Sequence, residues 1–243
     1  MNMNIRLCII TICTLINSNS FAQTKPEGIG KLKIGKTTIA IIDQLKDEFD
    51  LKHYNVINPT GENTFDQKAF ANESAYAELL PDTNDSKQSP LHAHICPFTR
   101  TFEFANYTVA GINLRRLYLV FYKDTLQSIQ CDGMRELEQA MTLKYGPAKS
   151  DVAEKEVNCN YSSSGAVTVS KEISNAKHWG EGDIIGTSYL HKYYTDQCTE
   201  ILIYTFTIEN IRFMSYLNDC DSDERLGRVR KEAELKAKEL GDF

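Results

Sequence analysis

The chain has 243 residues, a formal net charge of −6 at pH 7 and a hydrophobic fraction of 42%. This mildly acidic composition, without a block of Lys and Arg interleaved with aromatic residues, excludes a dedicated nucleic-acid binder, which carries a basic patch or stripe. A membrane-spanning helix requires about 20 apolar residues, and no run in the chain approaches that length.

Residues 1–22 predict a secretory signal peptide. Arg6 supplies the positive charge, residues 7–16 form a short apolar run, and Ser20 and Ala22 are small residues at the positions that signal peptidase reads. We expect cleavage after Ala22, a periplasmic or secreted protein, and membrane contact only through the transient signal peptide. A lipoprotein would use Cys13, but the preceding position requires a small residue and holds Ile.

Residues 23–150 read as an N-terminal α+β half that contains a long polar loop at residues 55–97. The predicted elements of this half are a strand at 28–36, a helix from about 37 to 49, a helical turn near 75–80, a three-strand meander at 102–107, 111–122 and 126–130, and a helix at 134–145. The middle strand of the meander is apolar on both faces, so we place it at the centre of its sheet.

Residues 151–243 read as a C-terminal, strand-rich half that ends in a helix. The predicted elements are strands at 155–161, 166–171, 187–194 and 200–208, a loop at 175–186, and a helix that opens at Asp219. Together the two halves indicate an α+β fold with antiparallel sheet and helices packed on one face. A diverged duplication, with strands 155–208 as the second copy, is an alternative that the element order leaves open.

Five cysteines remain after the signal peptide, and in an oxidising compartment some of them should form disulfides. Cys159 and Cys198 each lie in a strand-like stretch of the same half and are therefore the first candidates for a pair. The alternative is that several of the five are buried thiols.

The stretch from His92 to Cys96 is the part of the sequence that looks most like a metal site. In an extended chain His92, His94 and Cys96 point to one side, and two imidazoles and a thiolate could hold zinc. Pro90 and Pro97 bracket the stretch and favour a loop, so the alternative is a linker in which Cys96 forms a disulfide.

No catalytic residues and no cofactor are predicted, because the sequence contains no P-loop, no Gly-rich dinucleotide motif and no Gly-x-Ser-x-Gly motif. Trp179 is a candidate binding aromatic if its loop is exposed, or a cover for one end of the core if it is buried. His178 and His191 would indicate a hydrolase if a pocket joined them to an acid.

Two segments resemble small envelope proteins of the SmpA and outer-membrane assembly lipoprotein E type. They are residues 32–49, where Leu-Lys-Ile-Gly-Lys-Thr-Thr opens into a helix, and residues 119–129, Leu-Val-Phe-Tyr-Lys-Asp-Thr-Leu-Gln-Ser-Ile. The resemblance implies the fold shared with beta-lactamase inhibitor protein, with helices on one face of an antiparallel sheet. It also implies an interaction module rather than an enzyme.

The expected function is therefore a non-enzymatic binding module of the cell envelope, with an envelope protein or another ligand as its partner. One alternative is a hydrolase with an unrecognised site that acts on envelope glycans. The other is a metal-binding protein that uses His92, His94 and Cys96.

Overall fold

The computed structural model describes residues 25–55, 67–80, 93–160 and 167–241. Its elements in chain order are β1 (Gly28–Ile29), β2 (Leu32–Lys33), α1 (Ile41–Phe49), β3 (Lys52–Tyr54), α2 (Gln67–Ala71), β4 (Ala75–Leu79), β5 (Thr99–Val109), β6 (Ile112–Tyr122), β7 (Thr125–Asp132), α3 (Arg135–Tyr145), β8 (Lys149–Asn160), β9 (Val167–Trp179), β10 (Ile184–Tyr194), β11 (Glu200–Asn210) and α4 (Ile211–Gly241). The predicted signal peptide and His92 lie outside the described residues.

One nine-stranded sheet dominates the described part of the chain, in the order β3-β4-β5-β6-β7-β11-β10-β9-β8. Its neighbouring strands are antiparallel apart from the parallel pair β3–β4. The meander β4–β7 and the meander β8–β11 meet where the last strand of each pairs with the other, β7 with β11. The predicted α+β fold is confirmed.

The main core lies between one face of the sheet and helices α1 and α3. The two helices bury Ile41, Ile42, Leu45, Leu137, Met141 and Tyr145 in it. From the sheet, Leu119 of β6 and Phe206 of β11 are fully buried in the same core. Burying such a side chain stabilises the fold by about 1.5–3 kcal/mol, so apolar packing is what holds both helices on this face.

The opposite face of the sheet carries α2 and the first turns of α4. Val120 alternates with its core-facing neighbours and therefore points to this second face, where it packs with the fully buried Leu217 of α4. On the same face Phe70 of α2 packs on Ala75 and Ala77 of β4. We call the two sides of the sheet the core face and the second face below.

Several predicted elements differ from the observed ones for local reasons. The predicted loop at 175–186 is instead the end of β9, a short turn and the start of β10. The predicted helical turn near residues 75–80 is strand β4, whose small Ala residues let Phe70 approach the sheet. The last helix begins at Ile211, ahead of the predicted Asp219, because the side-chain oxygen of Asn210 accepts a hydrogen bond from the Phe213 N–H at 3.2 Å.

The core on β11 can be tested by comparing two positions on that strand. We expect Phe206→Ala to lower the free energy of unfolding by about 3–5 kcal/mol, because it opens a cavity in the main core. Leu202→Ala, on the same strand but 59% exposed, should change it by less than about 1 kcal/mol. Urea denaturation of both variants measures the difference, and equal losses would contradict the placement of the core.

Candidate functional site

Two of the three predicted metal ligands, His94 and Cys96, are engaged in a structural cluster. Cys96 forms a disulfide with Cys220 of α4, so its sulfur is not available as a thiolate ligand. His94 Nδ1 lies 2.7 Å from Asp221 Oδ2. Among the described residues no group of three or more His, Cys, Asp or Glu side chains is arranged to hold a metal ion. The prediction that Cys96 ligates a metal is therefore corrected, because oxidation to cystine removes the ligand.

Asp221 fastens the segment before β5 to helix α4. Its Oδ1 accepts hydrogen bonds from the backbone N–H groups of Ile95, at 2.9 Å, and Cys96, at 2.8 Å. Burial of Asp221 raises its pKa, but the hydrogen bonds from His94 and the two N–H groups outweigh burial and leave the pKa below the usual value. The carboxylate and the adjacent disulfide together form a clamp between distant parts of the chain.

The disulfide in the structure differs from the predicted pair. Cys159 and Cys198 are both buried and are not joined to each other, whereas the bond between Cys96 and Cys220 closes a separation of 124 residues. Cys131 is also a buried thiol, and burial raises its pKa to about 12, which keeps it protonated and unreactive at neutral pH.

Trp179 belongs to the core rather than to a binding surface. Its side chain is 1% exposed and packs near Phe206, with ring centroids 6.2 Å apart. The prediction of a binding aromatic is therefore wrong. Trp179 is the last residue of β9, and its side chain points into the main core. The alternative, a cover at the end of the core, describes its position.

His178 and His191 do not converge on one pocket. His178 lies opposite Thr187 and His191 lies opposite Ser174 in the β9–β10 ladder, four positions apart. That is a separation of about 13 Å along the strands. Each histidine instead has a local hydroxyl partner, Thr187 at 3.1 Å and Ser174 at 2.8 Å.

An opening lies at the seam between the two meanders. β7 ends at Asp132, where Gly133 and Met134 lead the chain out of the sheet into α3, while the neighbouring strands β6 and β11 continue on either side. The result is a cavity of about 880 Å³, which we call the seam cleft. Its wall includes Arg115, Arg116, Tyr118, Asp132, Leu202 and Tyr204.

The β6 wall of the seam cleft is a hydrogen-bonded chain of polar groups. Arg116 donates from Nη2 to the Tyr118 hydroxyl at 3.0 Å, and that hydroxyl donates to Glu103 Oε1 at 2.7 Å. Arg116 has a φ of 50°, a left-handed backbone conformation that is unusual for a residue other than Gly. Such strain occurs most often at functional sites, where the surrounding contacts hold it in place.

Two acidic groups of this wall are less acidic than usual. Burial raises the pKa of Asp132, and the guanidinium groups of Arg116 and Arg115 oppose that shift. Burial also raises the pKa of Glu103, against the hydrogen bond from Tyr118 and the charge of Arg116. The negative charge of Asp132 also contributes to the raised pKa of Glu103. Perturbed acids in a cleft are typical of binding and catalytic sites.

The β11 wall supplies apolar surface. Leu202 is 59% exposed and Ile203 is 40% exposed. Next to them, the ring of Tyr204 lies so close to Gly133 that a Cβ at that position would be 2.3 Å from it. Gly133 is therefore required where β7 stops, and its N–H donates to the Tyr204 carbonyl at 2.8 Å, which closes the floor of the cleft.

Only two local features of the sequence mark the position of the seam cleft. The adjacent Arg115 and Arg116 interrupt an otherwise apolar strand, and Gly133 separates a strand from a helix. These are the signals that could have pointed to it. Neither indicates that β11, whose residues at the cleft are about 70 positions further along the chain, forms the other wall.

No family model, curated protein or solved structure matches the chain. None of the helices in the described ranges is long and apolar enough to span a membrane.

The clamp makes a prediction about stability. Asp221→Asn removes the charge that strengthens three hydrogen bonds, so we expect the free energy of unfolding to fall by about 2–3 kcal/mol near neutral pH. Because the folded pKa of Asp221 lies below its unfolded value of about 3.9, this contribution is complete above that value and is lost as the pH falls through the folded pKa.

The control for the clamp is Asp223→Asn, an exposed position on the same helix. Its stability should stay within about 0.5 kcal/mol of that of the wild type. Denaturation curves recorded across the acid range measure both effects. A deficit in Asp221→Asn that is equally large at pH 2 and pH 7 would contradict the assignment to the Asp221 carboxylate.

Proposed function

We propose that this protein is a non-enzymatic binding module of the cell envelope, periplasmic or secreted, and that it binds its partner through the seam cleft. The observation that carries the proposal is the mixed lining of the cleft. Exposed Leu202 and Ile203 belong to the β11 wall, and the β6 wall across the cleft carries two guanidinium groups and a buried tyrosine hydroxyl. Ligand sites characteristically combine apolar surface with a few fixed polar groups in this way.

Two further features support export and an interaction role. The predicted signal peptide would deliver the chain to an oxidising compartment, and the disulfide between Cys96 and Cys220 is of the kind that persists there. Each half contains a core-face helix that precedes a four-strand meander, α3 directly before β8–β11 and α1 before β4–β7 with β3 and α2 between them. This symmetry favours a diverged duplication and is consistent with the proposed likeness to SmpA-type envelope proteins.

The proposal is tested with two substitutions of equal exposure. Leu202 in the cleft and Val152 on β8 are both 59% exposed, so Leu202→Glu and Val152→Glu should disturb folding to a similarly small degree. We expect immobilised wild type and Val152→Glu to retain a specific envelope component. Leu202→Glu should bind it at least about tenfold more weakly, because a buried apolar contact is replaced by a charge.

Mass spectrometry identifies the retained component, and titration calorimetry with the purified component measures the affinities. A component that binds all three proteins equally would show that binding occurs elsewhere. If no component binds wild type more tightly than Leu202→Glu, the proposal fails.

A second candidate function is a hydrolase acting on envelope glycans, and one observation favours it. Asp132 lines the cleft and Glu103 accepts the hydrogen bond from the Tyr118 hydroxyl of its wall, and both carboxyl groups have a raised pKa. A pair in which one group stays protonated could act as general acid and base. Such an enzyme would release reducing ends from envelope glycans, and Glu103→Gln or Asp132→Asn would slow this by about a hundredfold or more.

Glu136→Gln is the control for that assay, since Glu136 lines the same cleft but is exposed. Its rate should equal that of the wild type. No release of reducing ends by the wild type, or equal rates in all variants, would contradict the hydrolase.

A further inference from the structure

The register of the sheet shows that β7 ends before its two neighbours, β6 and β11, and that their ends flank the seam cleft. Tyr118 of β6 lies opposite Gln130 of β7, and Thr205 of β11 lies opposite Asp132. If the line of β7 continued straight past Asp132, its next four positions would lie between residues 112–115 of β6 and residues 201–204 of β11. Gly133 takes the first of these positions, since its N–H donates to the Tyr204 carbonyl at 2.8 Å. The chain then leaves the sheet, so the next three positions, between residues 112–114 and residues 201–203, are not filled by β7.

The two strand segments that flank this gap are paired on their outer sides. Residues 112–115 of β6 pair with residues 106–109 of β5, and residues 201–204 of β11 pair with residues 190–193 of β10. Among the described residues, neither segment has a strand on the side that faces the cleft. Apart from the Tyr204 carbonyl, which accepts the hydrogen bond from the Gly133 N–H, their inward-pointing N–H and C=O groups therefore form two strand edges that face each other.

The spacing of a β-sheet sets the width that one additional strand requires in this gap. Neighbouring strands lie about 4.8 Å apart, so strands on either side of a third are separated by about 9.6 Å. Near the closed end of the cleft, β6 and β11 are held at this separation by β7 itself. A three-residue strand in line with β7 would be about 10 Å long and could bond to both edges.

We propose that the seam cleft receives an extended peptide segment of a partner protein, which continues the line of β7 as a strand between β6 and β11. This inference rests on the proposed binding function and names the chemistry of the ligand. Main-chain hydrogen bonds to two strand edges provide affinity, as in other cases where a peptide adds a strand to a sheet. Side chains that alternate between the two faces provide specificity.

The walls indicate which side chains such a segment carries. On the core face the gap is bordered by apolar Ile112, Met134 and Leu202, of which the first two pack against the main core. On the second face it is bordered by Arg116, together with Arg115, whose charge also acts on Asp132. Asp132 already balances one of the two guanidinium groups, so the complementary peptide places apolar side chains on the core face and an acidic side chain opposite Arg115 on the second face.

The probe for this inference is a random octapeptide library displayed on phage. It is selected on the mature wild-type protein and counter-selected on Leu202→Glu, with Val152→Glu as the matched control. We expect the selected peptides to carry an acidic residue between apolar ones. Arg115→Glu, an exposed position on the cleft wall, should weaken their binding about tenfold, because an attraction becomes a repulsion.

Two measurements then distinguish strand addition from other modes of binding. Hydrogen exchange should show that the peptide protects cleft-facing amides in residues 112–115 and 201–203, while the outer edge strand β8 is unchanged. A synthetic copy of the peptide with N-methyl groups on alternate residues keeps the side chains but loses edge donors. The methylated peptide loses the N–H groups that face one of the two edges. It should therefore bind at least about tenfold more weakly than the unmethylated peptide.

The outcomes separate this inference from the proposed function. If a partner is lost on Leu202→Glu but no peptide protects the two edges, the cleft binds a different kind of ligand, so the proposed function stands and the inference fails. If the edges become protected without peptide as the protein concentration rises, the occupant is a second copy of the chain and the inference also fails. If neither partner nor peptide distinguishes wild type from Leu202→Glu, both fail.

Discussion

The pairing of β7 with β11 is the interaction on which the rest of the structure depends. It joins two meanders into one sheet through only five residue pairs, from Glu209↔Ser128 to Thr205↔Asp132. This short ladder makes the core continuous, because Phe206 and Ile208 of β11 lie beside Ile129 and Cys131 of β7 in the same apolar cluster. It also creates the seam cleft, since β6 and β11 extend beyond the point where β7 stops.

The two faces of the sheet are stabilised by different means at this junction. On the core face, α3 is tied to the second meander by Glu138, which accepts hydrogen bonds from Lys177 of β9 and Ser188 of β10. On the second face, the first turns of α4 lie over β6, and the disulfide and Asp221 fasten them to the segment before β5. Both ends of the second half are therefore attached to the first, which limits rotation about the short β7–β11 ladder.

Local patterns in the sequence were sufficient for β5–β7 and for α3, but not for β4, which they predicted as a helical turn, or for the site. The apolar residues of β6 and the Gly-Pro sequence after α3 act over a few residues, so their signals survive without knowledge of the fold. β9 was only partly predicted because Asn175, Lys177 and His178 are polar. Their partners, such as Glu138 for Lys177, come from elsewhere in the sheet. The cleft and the disulfide join residues about 70 and 124 positions apart, a separation over which spacing carries no information.

The position of the open strand edges is itself an argument for their use in binding. An exposed edge is a template for uncontrolled association, and proteins usually protect it with charges. The outer strand β8 follows this rule, since it carries Asp151, Glu154, Lys155 and Glu156 along its length. The inner edges at residues 112–115 and 201–204 are protected by their location instead, because each is flanked by the other and a second sheet cannot approach both. A single extended chain can enter such a gap, so edges that would be a liability on the outside can remain free at the seam.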